Sequence, residues 1–210
     1  MNFLKHYNAI AYTSAFSVIL PITISLYRVT AGNKVNKVLL VYLFLSLFVE
    51  MINFIFLSMG KSNIIVVEIF KLLELSIITY MFSLFNLKSR RSRFFTIIML
   101  FVGLLLFLID LKIGTTILFN GFAHCAILSL TFFAFYKMLL DEYNIADFHF
   151  FWISCGILFY FSISFFLFLL YDFTKSLSVP LAKNLWLINL ATNMLYYLFL
   201  SIGIWKIKRR

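Results

Sequence analysis

Seven long apolar stretches, parted by short polar connections, set the pattern of this chain. They run Asn8–Arg28, Val38–Met59, Asn63–Asn86, Phe94–Leu111, Thr116–Leu140, Phe148–Tyr171 and Asn184–Trp205. A helix needs about 20 mostly apolar residues to cross a bilayer, and each stretch is near that length. The pattern predicts an all-α fold, a polytopic integral membrane protein with seven transmembrane helices. The connections are too short to hold a soluble domain, and no linker, low-complexity tail or internal repeat is visible. Residues 1–210 therefore read as a single transmembrane helical-bundle domain. The N-terminal segment MNFLKHYNAIAYTSAFSVILP has one early lysine, Lys5, and no A-x-A cleavage signal, so a retained helix is expected rather than a signal peptide.

Composition agrees. Hydrophobic residues make up 63% of the 210 and charged ones 12%, against roughly 45–50% and 25% in a soluble domain. Phe is the excess residue, with 28 copies, and it is costly in water and cheap in lipid. The net charge of +10 invites a nucleic-acid reading, but the cations lie in short connections and at the C-terminus. That placement is a topology signal, and direct nucleic-acid binding is not expected. One side holds Arg28, Lys34, Lys37, Lys88, Arg90, Arg91, Arg93, Lys137, Lys206, Lys208, Arg209 and Arg210, twelve in all. The other holds Lys5, Lys61, Lys112, Lys175 and Lys183, which is five, and Lys71 falls inside the third stretch. Twelve against five places the N-terminus outside and the C-terminus in the cytoplasm, which requires an odd number of spans. Lys88, Arg90, Arg91, Arg93, Lys206, Lys208, Arg209 and Arg210 form the main cytoplasmic basic patch. It is expected to fix topology and hold anionic lipid; the alternative expectation is docking of an acidic or RNA-bound cytoplasmic protein partner.

The few polar residues within the stretches carry the functional information, because an ionisable side chain at membrane depth must face the bundle or water. The third stretch contains Glu68, Lys71 and Glu74. Their i, i+3, i+6 spacing covers an arc of roughly 120° and a rise of about 9 Å. Both Glu68–Lys71 and Lys71–Glu74 can pair, and one negative charge is left over. In the second stretch Ser46, Glu50 and Asn53 share a face. A very short connection makes these two helices antiparallel neighbours, with Glu50 opposite Glu74 as a candidate proton or cation site or, alternatively, a structural hydrogen bond between a protonated and an ionised acid. The fifth stretch adds Asn120 and His124, with Gly121 allowing close approach of another helix. The seventh aligns Asn189, Thr192, Asn193 and Tyr196, and Gly203 continues that stripe. The sixth offers Ser154, Gly156, Tyr160, Ser162 and Ser164. The ordinary role of such groups is to join helices, since lipid gives no hydrophobic drive between them. The sharper expectation is one polar cavity lined by helices 2, 3, 5 and 7. Helix 4, apolar on every face until Asp110, lies outside it.

Remaining features read as structural. Cys125 and Cys155 are expected to be reduced, buried thiols acting as small hydrophobes. Pro21 should kink helix 1, with Ser17 satisfying the freed carbonyl. Trp152, Trp186 and Trp205 lie near helix ends, where indoles sit at the headgroup level.

Catalytic motifs are missing. There is no G-x-S-x-G, H-E-x-x-H or Gly-rich phosphate loop, and no ligand spacing for a metal or cofactor. A lipid-modifying enzyme would have to be built on Glu50, Glu74 and His124. A retinal-type receptor would need a lysine midway along helix 7, which has none before Lys206. Transporters commonly show repeated halves and broken helices, whereas only helix 1 has an internal proline. A pore would require oligomerisation, and no filter-like segment is present.

The stretches FWISCGILFYFSISFFLFLLYDF and LWLINLATNMLYYLFLSIGIWKIKRR resemble the last two helices of small seven-helix bacterial membrane proteins, some of them encoded near sensor histidine kinases. In size and texture the chain also resembles the multi-pass membrane accessory proteins of type VI-B CRISPR loci, which modulate an RNA-guided RNA nuclease. Both resemblances imply a non-enzymatic regulatory or sensory component of the cell inner membrane. Neither supplies residues to carry over. A conducting pore or small transporter is the alternative expectation, and a homo-oligomer is open to either.

Overall fold

The computed structural model describes residues 10–28, 34–86, 90–140, 148–170 and 179–207. Within them every element is a helix and no strand occurs. The helices are α1 (Ile10–Arg28), α2 (Lys34–Ser58), α3 (Ile64–Asn86), α4 (Arg90–Ile113), α5 (Ile117–Leu140), α6 (His149–Leu169) and α7 (Val179–Trp205). Helix α7 begins five residues before the apolar run because Pro180 is tolerated in a first turn, where N–H groups have no intrahelical acceptor. Helix α4 likewise starts at Arg90, since the backbone ladder does not depend on hydropathy.

Six of the seven helices are long and apolar enough to cross a membrane. The exception is α3, which carries Glu68, Lys71 and Glu74. The surface fits the same environment. Large apolar side chains such as Phe16, Phe48, Ile65, Phe94, Phe101 and Leu139 point outward, while Ser14, Ser25, Asn36, Ser46, Glu68, Glu74 and Asn120 are buried. Soluble proteins place their charged and amide side chains the other way round.

The principal contacts close a ring that runs α1, α2, α3, α5, α6, α7 and back to α1. Helix α4 packs outside it, against α3 and α5, as its uniformly apolar faces led one to expect. Only 22% of its span is buried, the lowest share among the six apolar helices. Gly60 and Gly114 end α2 and α4 with positive φ, where a side chain would be strained. Their turns share one end of the bundle with the Asn53–Asn63 contact and with Asp110. The Asp110 carboxylate accepts from Thr115 Oγ1 and from the Phe119 backbone N–H, so the end of α4 caps the start of α5.

At the opposite end Arg28 of α1 lies over the Trp205 ring of α7 at 4.1 Å, and Tyr27 stacks on the same ring. Lys137 of α5 sits 5.0 Å from the Phe85 ring of α3, which stacks on Phe150 of α6. Lys206 lies over Trp152. Arg28, Lys37, Lys137 and Lys206 are thus gathered at one end, while Lys61, after the Gly60 turn, and Lys112, before the Gly114 turn, lie at the other.

Three expectations are corrected. Cys125 is exposed and Cys155 half-buried. A residue in a lipid-facing helix has two apolar directions, so hydropathy does not distinguish core from lipid. In α1 the carbonyl freed by Pro21 is that of Ser17, and the Leu20 N–H takes it at 3.3 Å. The Ser17 hydroxyl donates instead to the Ser14 carbonyl, and the helix is interrupted at Ser17 and Val18. Gly121 meets only Phe168, at ordinary contact distance. The close helix approach lies between α6 and α7, at Gly156 and Gly203, where an added Cβ would fall within 3 Å of the facing helix.

Candidate functional site

The middle of the ring is filled by tyrosine rings. Tyr42 of α2 donates its hydroxyl to Glu74 Oε1 of α3 at 2.7 Å. Tyr196 of α7 donates in turn to the Tyr42 hydroxyl at 3.1 Å. Tyr160 of α6 stacks on Tyr196, with centroids 4.9 Å apart. Beside them Ser46 and Tyr197 share a hydrogen bond of 2.6 Å. Tyr42, Glu74, Tyr196 and Tyr197 are all buried. The helices present these groups by simple registration: Tyr42, Ser46 and Glu50 recur every four residues, which keeps them on one face of α2.

A second polar string joins α3, α5 and α6. Lys71 Nζ lies 3.3 Å from Glu68 Oε1, and Asn120 Nδ2 donates to the same oxygen at 3.2 Å. His124 Nδ1 meets the Asn120 carbonyl at 2.7 Å, and Nε2 meets Ser164 Oγ at 3.2 Å. A carbonyl only accepts, so Nδ1 carries the proton; in the neutral ring Nε2 then accepts from Ser164. The rings of Phe161, Phe165 and Phe168 enclose the imidazole. Asn120 Oδ1 is buried and has no hydrogen-bond partner among the described residues.

The nine candidate residues are therefore not one constellation. Glu74 belongs to the central network. Glu68, Lys71, Asn120 and His124 form the second string. Asn53 accepts from Asn63 across the α2–α3 turn. Asn193 donates to Ser14 Oγ, and Ser14 donates to the Leu190 carbonyl, so these groups join α7 to α1. Glu50 and Asn189 make no hydrogen bond among the described residues. Two specific expectations fail here. Among the described residues Lys71 is within ion-pair distance of Glu68 alone, because Glu74 turns inward to Tyr42 while the Lys71 side chain stays 31% exposed. Glu50 and Glu74 are not in contact through a hydrogen bond. The surplus carboxylate of the Glu68–Lys71–Glu74 ladder has a neutral phenol as its partner.

Tyr160 and Tyr196 were noted among the polar residues of their helices, but Tyr42 and Tyr197 were missed, although Tyr42 lies one helical turn from Ser46 on the face already singled out. Of the basic patch, Lys88, Lys208, Arg209 and Arg210 lie outside the described residues, and for Arg90, Arg91 and Arg93 only the helical backbone is described. Lys206 is described, beside Trp152.

The chain matches no protein-family model, and no curated protein or solved structure matches it.

Proposed function

We propose that this is a multi-pass protein of the cell inner membrane with seven spanning helices, N-terminus outside and C-terminus cytoplasmic. Its role is regulatory or sensory rather than enzymatic. The observation that carries this reading is the buried Tyr196–Tyr42–Glu74 string, which ties three helices together through one carboxylate. A carboxylate at membrane depth is costly to keep, and it holds its place only where it is hydrogen-bonded. The packing of α2, α3 and α7 thus depends on how Glu74 is bonded. The segments between the first and second and between the third and fourth apolar stretches, with the residues after Trp205, carry ten of the eighteen basic residues. A change at Glu74 would be felt there, where a cytoplasmic effector of the kind implied by the resemblance of the last two segments would dock.

Two measurements test the proposal. Reporter fusions after Arg93 and after Arg210 are expected to report cytoplasm, and a periplasmic signal from either overturns the topology. In a deletion background, Glu74→Gln is expected to reach wild-type abundance in the membrane and fail to complement; full complementation removes Glu74 from the mechanism.

A second reading, proton translocation, is favoured by the Lys71–Glu68–Asn120–His124–Ser164 string, which crosses three helices with titratable groups at both halves. Purified protein in liposomes separates the two. A regulator leaves an imposed pH gradient to decay at the rate of protein-free liposomes. Faster decay that is lost in His124→Ala would establish translocation instead.

A further inference from the structure

Outside the ring, between α2 and α3, runs a groove of about 360 Å³ lined by Lys37, Val38, Val41, Ser76, Ile77 and Tyr80. Its chemistry is divided along its length. Val38, Val41 and Ile77 are aliphatic, and the Ser76 hydroxyl is already donated to the Leu72 carbonyl at 2.8 Å. The groove wall is therefore apolar in effect. Lys37 stands at the end of the groove that faces the basic end of the bundle. It is exposed and makes no ion pair or hydrogen bond among the described residues.

Electrostatics at this end is one-sided. Lys34 and Lys37 both lie at the start of α2, and no acidic residue occupies its first turn. A helix N-terminus already carries partial positive charge, so the two lysines add to it rather than offset it. An anion here gains from all three sources. Val41 lies about 6 Å deeper along α2 than Lys37, which is the direction in which an acyl chain would leave a headgroup held at the lysine.

We propose that this groove binds one anionic phospholipid of the adjoining leaflet. The phosphate sits on Lys37, and the upper part of an acyl chain lies against Val38, Val41 and Ile77. The inference rests on the membrane placement proposed above and adds a lipid class and a seat to it.

Native mass spectrometry of the full chain, delipidated and then offered equimolar phosphatidylglycerol and phosphatidylcholine, tests it. One contact with a surface lysine corresponds to about a five-fold preference for the anionic lipid. Wild type is expected to retain one phosphatidylglycerol with that preference. Lys37→Gln should lose most of that preference, and Val41→Trp should fill the groove and retain neither. Lys112→Gln, at the other end of the bundle, should behave as wild type. Equal retention by wild type, or an unchanged preference in Lys37→Gln, overturns the proposal, as does undiminished retention in Val41→Trp at unaltered thermal stability. Alkaline carbonate washing of cell membranes separates the two levels. Release of the chain would overturn the membrane placement itself, whereas a retained chain without lipid preference overturns the groove alone.

Discussion

Tyr42→Phe is expected to be the most damaging conservative substitution in the bundle. It removes one oxygen and keeps the ring, so packing against Phe70 and Tyr196 is preserved. What it takes away is the donor to Glu74 and the acceptor for Tyr196, both of them buried. A hydrogen bond to a charged group is worth about 1.5–3 kcal/mol, and an orphaned buried partner adds its own desolvation cost. A loss of about 3 kcal/mol is therefore expected from the two bonds together. Glu74→Gln should cost less, because its amide oxygen still accepts from Tyr42. The double variant Tyr42→Phe/Glu74→Leu should cost less than the sum of its parts, since neither leaves the other unsatisfied. Reversible unfolding in mixed micelles measures all four corners of that cycle. A coupling energy of zero would show that Tyr42 and Glu74 do not act as a unit.

Gly203→Ala is expected to lower the thermal midpoint in detergent, whereas Gly121→Ala should leave it unchanged or raise it. Alanine favours a helix over glycine by about 1 kcal/mol, which is the whole effect expected at Gly121. At Gly203 the added Cβ would fall 2.6 Å from Ile153 Cγ1, 3.0 Å from the His149 carbonyl oxygen and 3.2 Å from the Ile153 nitrogen. Two of those atoms are backbone, and Ile153 is fully buried. Neither can move without parting α6 from α7. Overpacking of this kind costs about 1–3 kcal/mol, enough to reverse the propensity gain. Gly156→Ala should act in the same direction, since its Cβ would meet Phe199 at 2.9 Å and the Tyr196 carbonyl at 3.3 Å. Small residues at such seams let backbones approach where lipid supplies no hydrophobic drive. Equal midpoints for the 203 and 121 variants would show that α6 and α7 are not held this closely.

The glycines illustrate what one-dimensional reading can and cannot do. Gly121, Gly156 and Gly203 look alike along the chain, each one small residue in an apolar run. Which of them faces a neighbouring backbone depends on the rotation of its helix about its axis. Uniformly apolar helices leave that rotation unmarked, because every face is acceptable to lipid. Cys125 was misplaced for the same reason. Tyr42 was passed over because a tyrosine in an apolar helix suits an interfacial belt as well as a buried network.

Residue types and their order settled the all-helical class, the helix boundaries to within a few residues and the outlying position of α4. These follow from hydropathy and length, which are properties of each segment alone. The order of residues also marked Glu68, Lys71, Glu74, Asn120 and His124 as groups that have to be accommodated, since charge and polarity at such positions are costly wherever the helix turns. Only the packed bundle decided how. It separated Glu74 from Lys71 and gave it to Tyr42, joined Glu68 to Asn120 across 52 residues of chain, and turned Asn193 toward α1. Those pairings depend on which helix faces are brought together, and that is set by the shapes of all the helices at once.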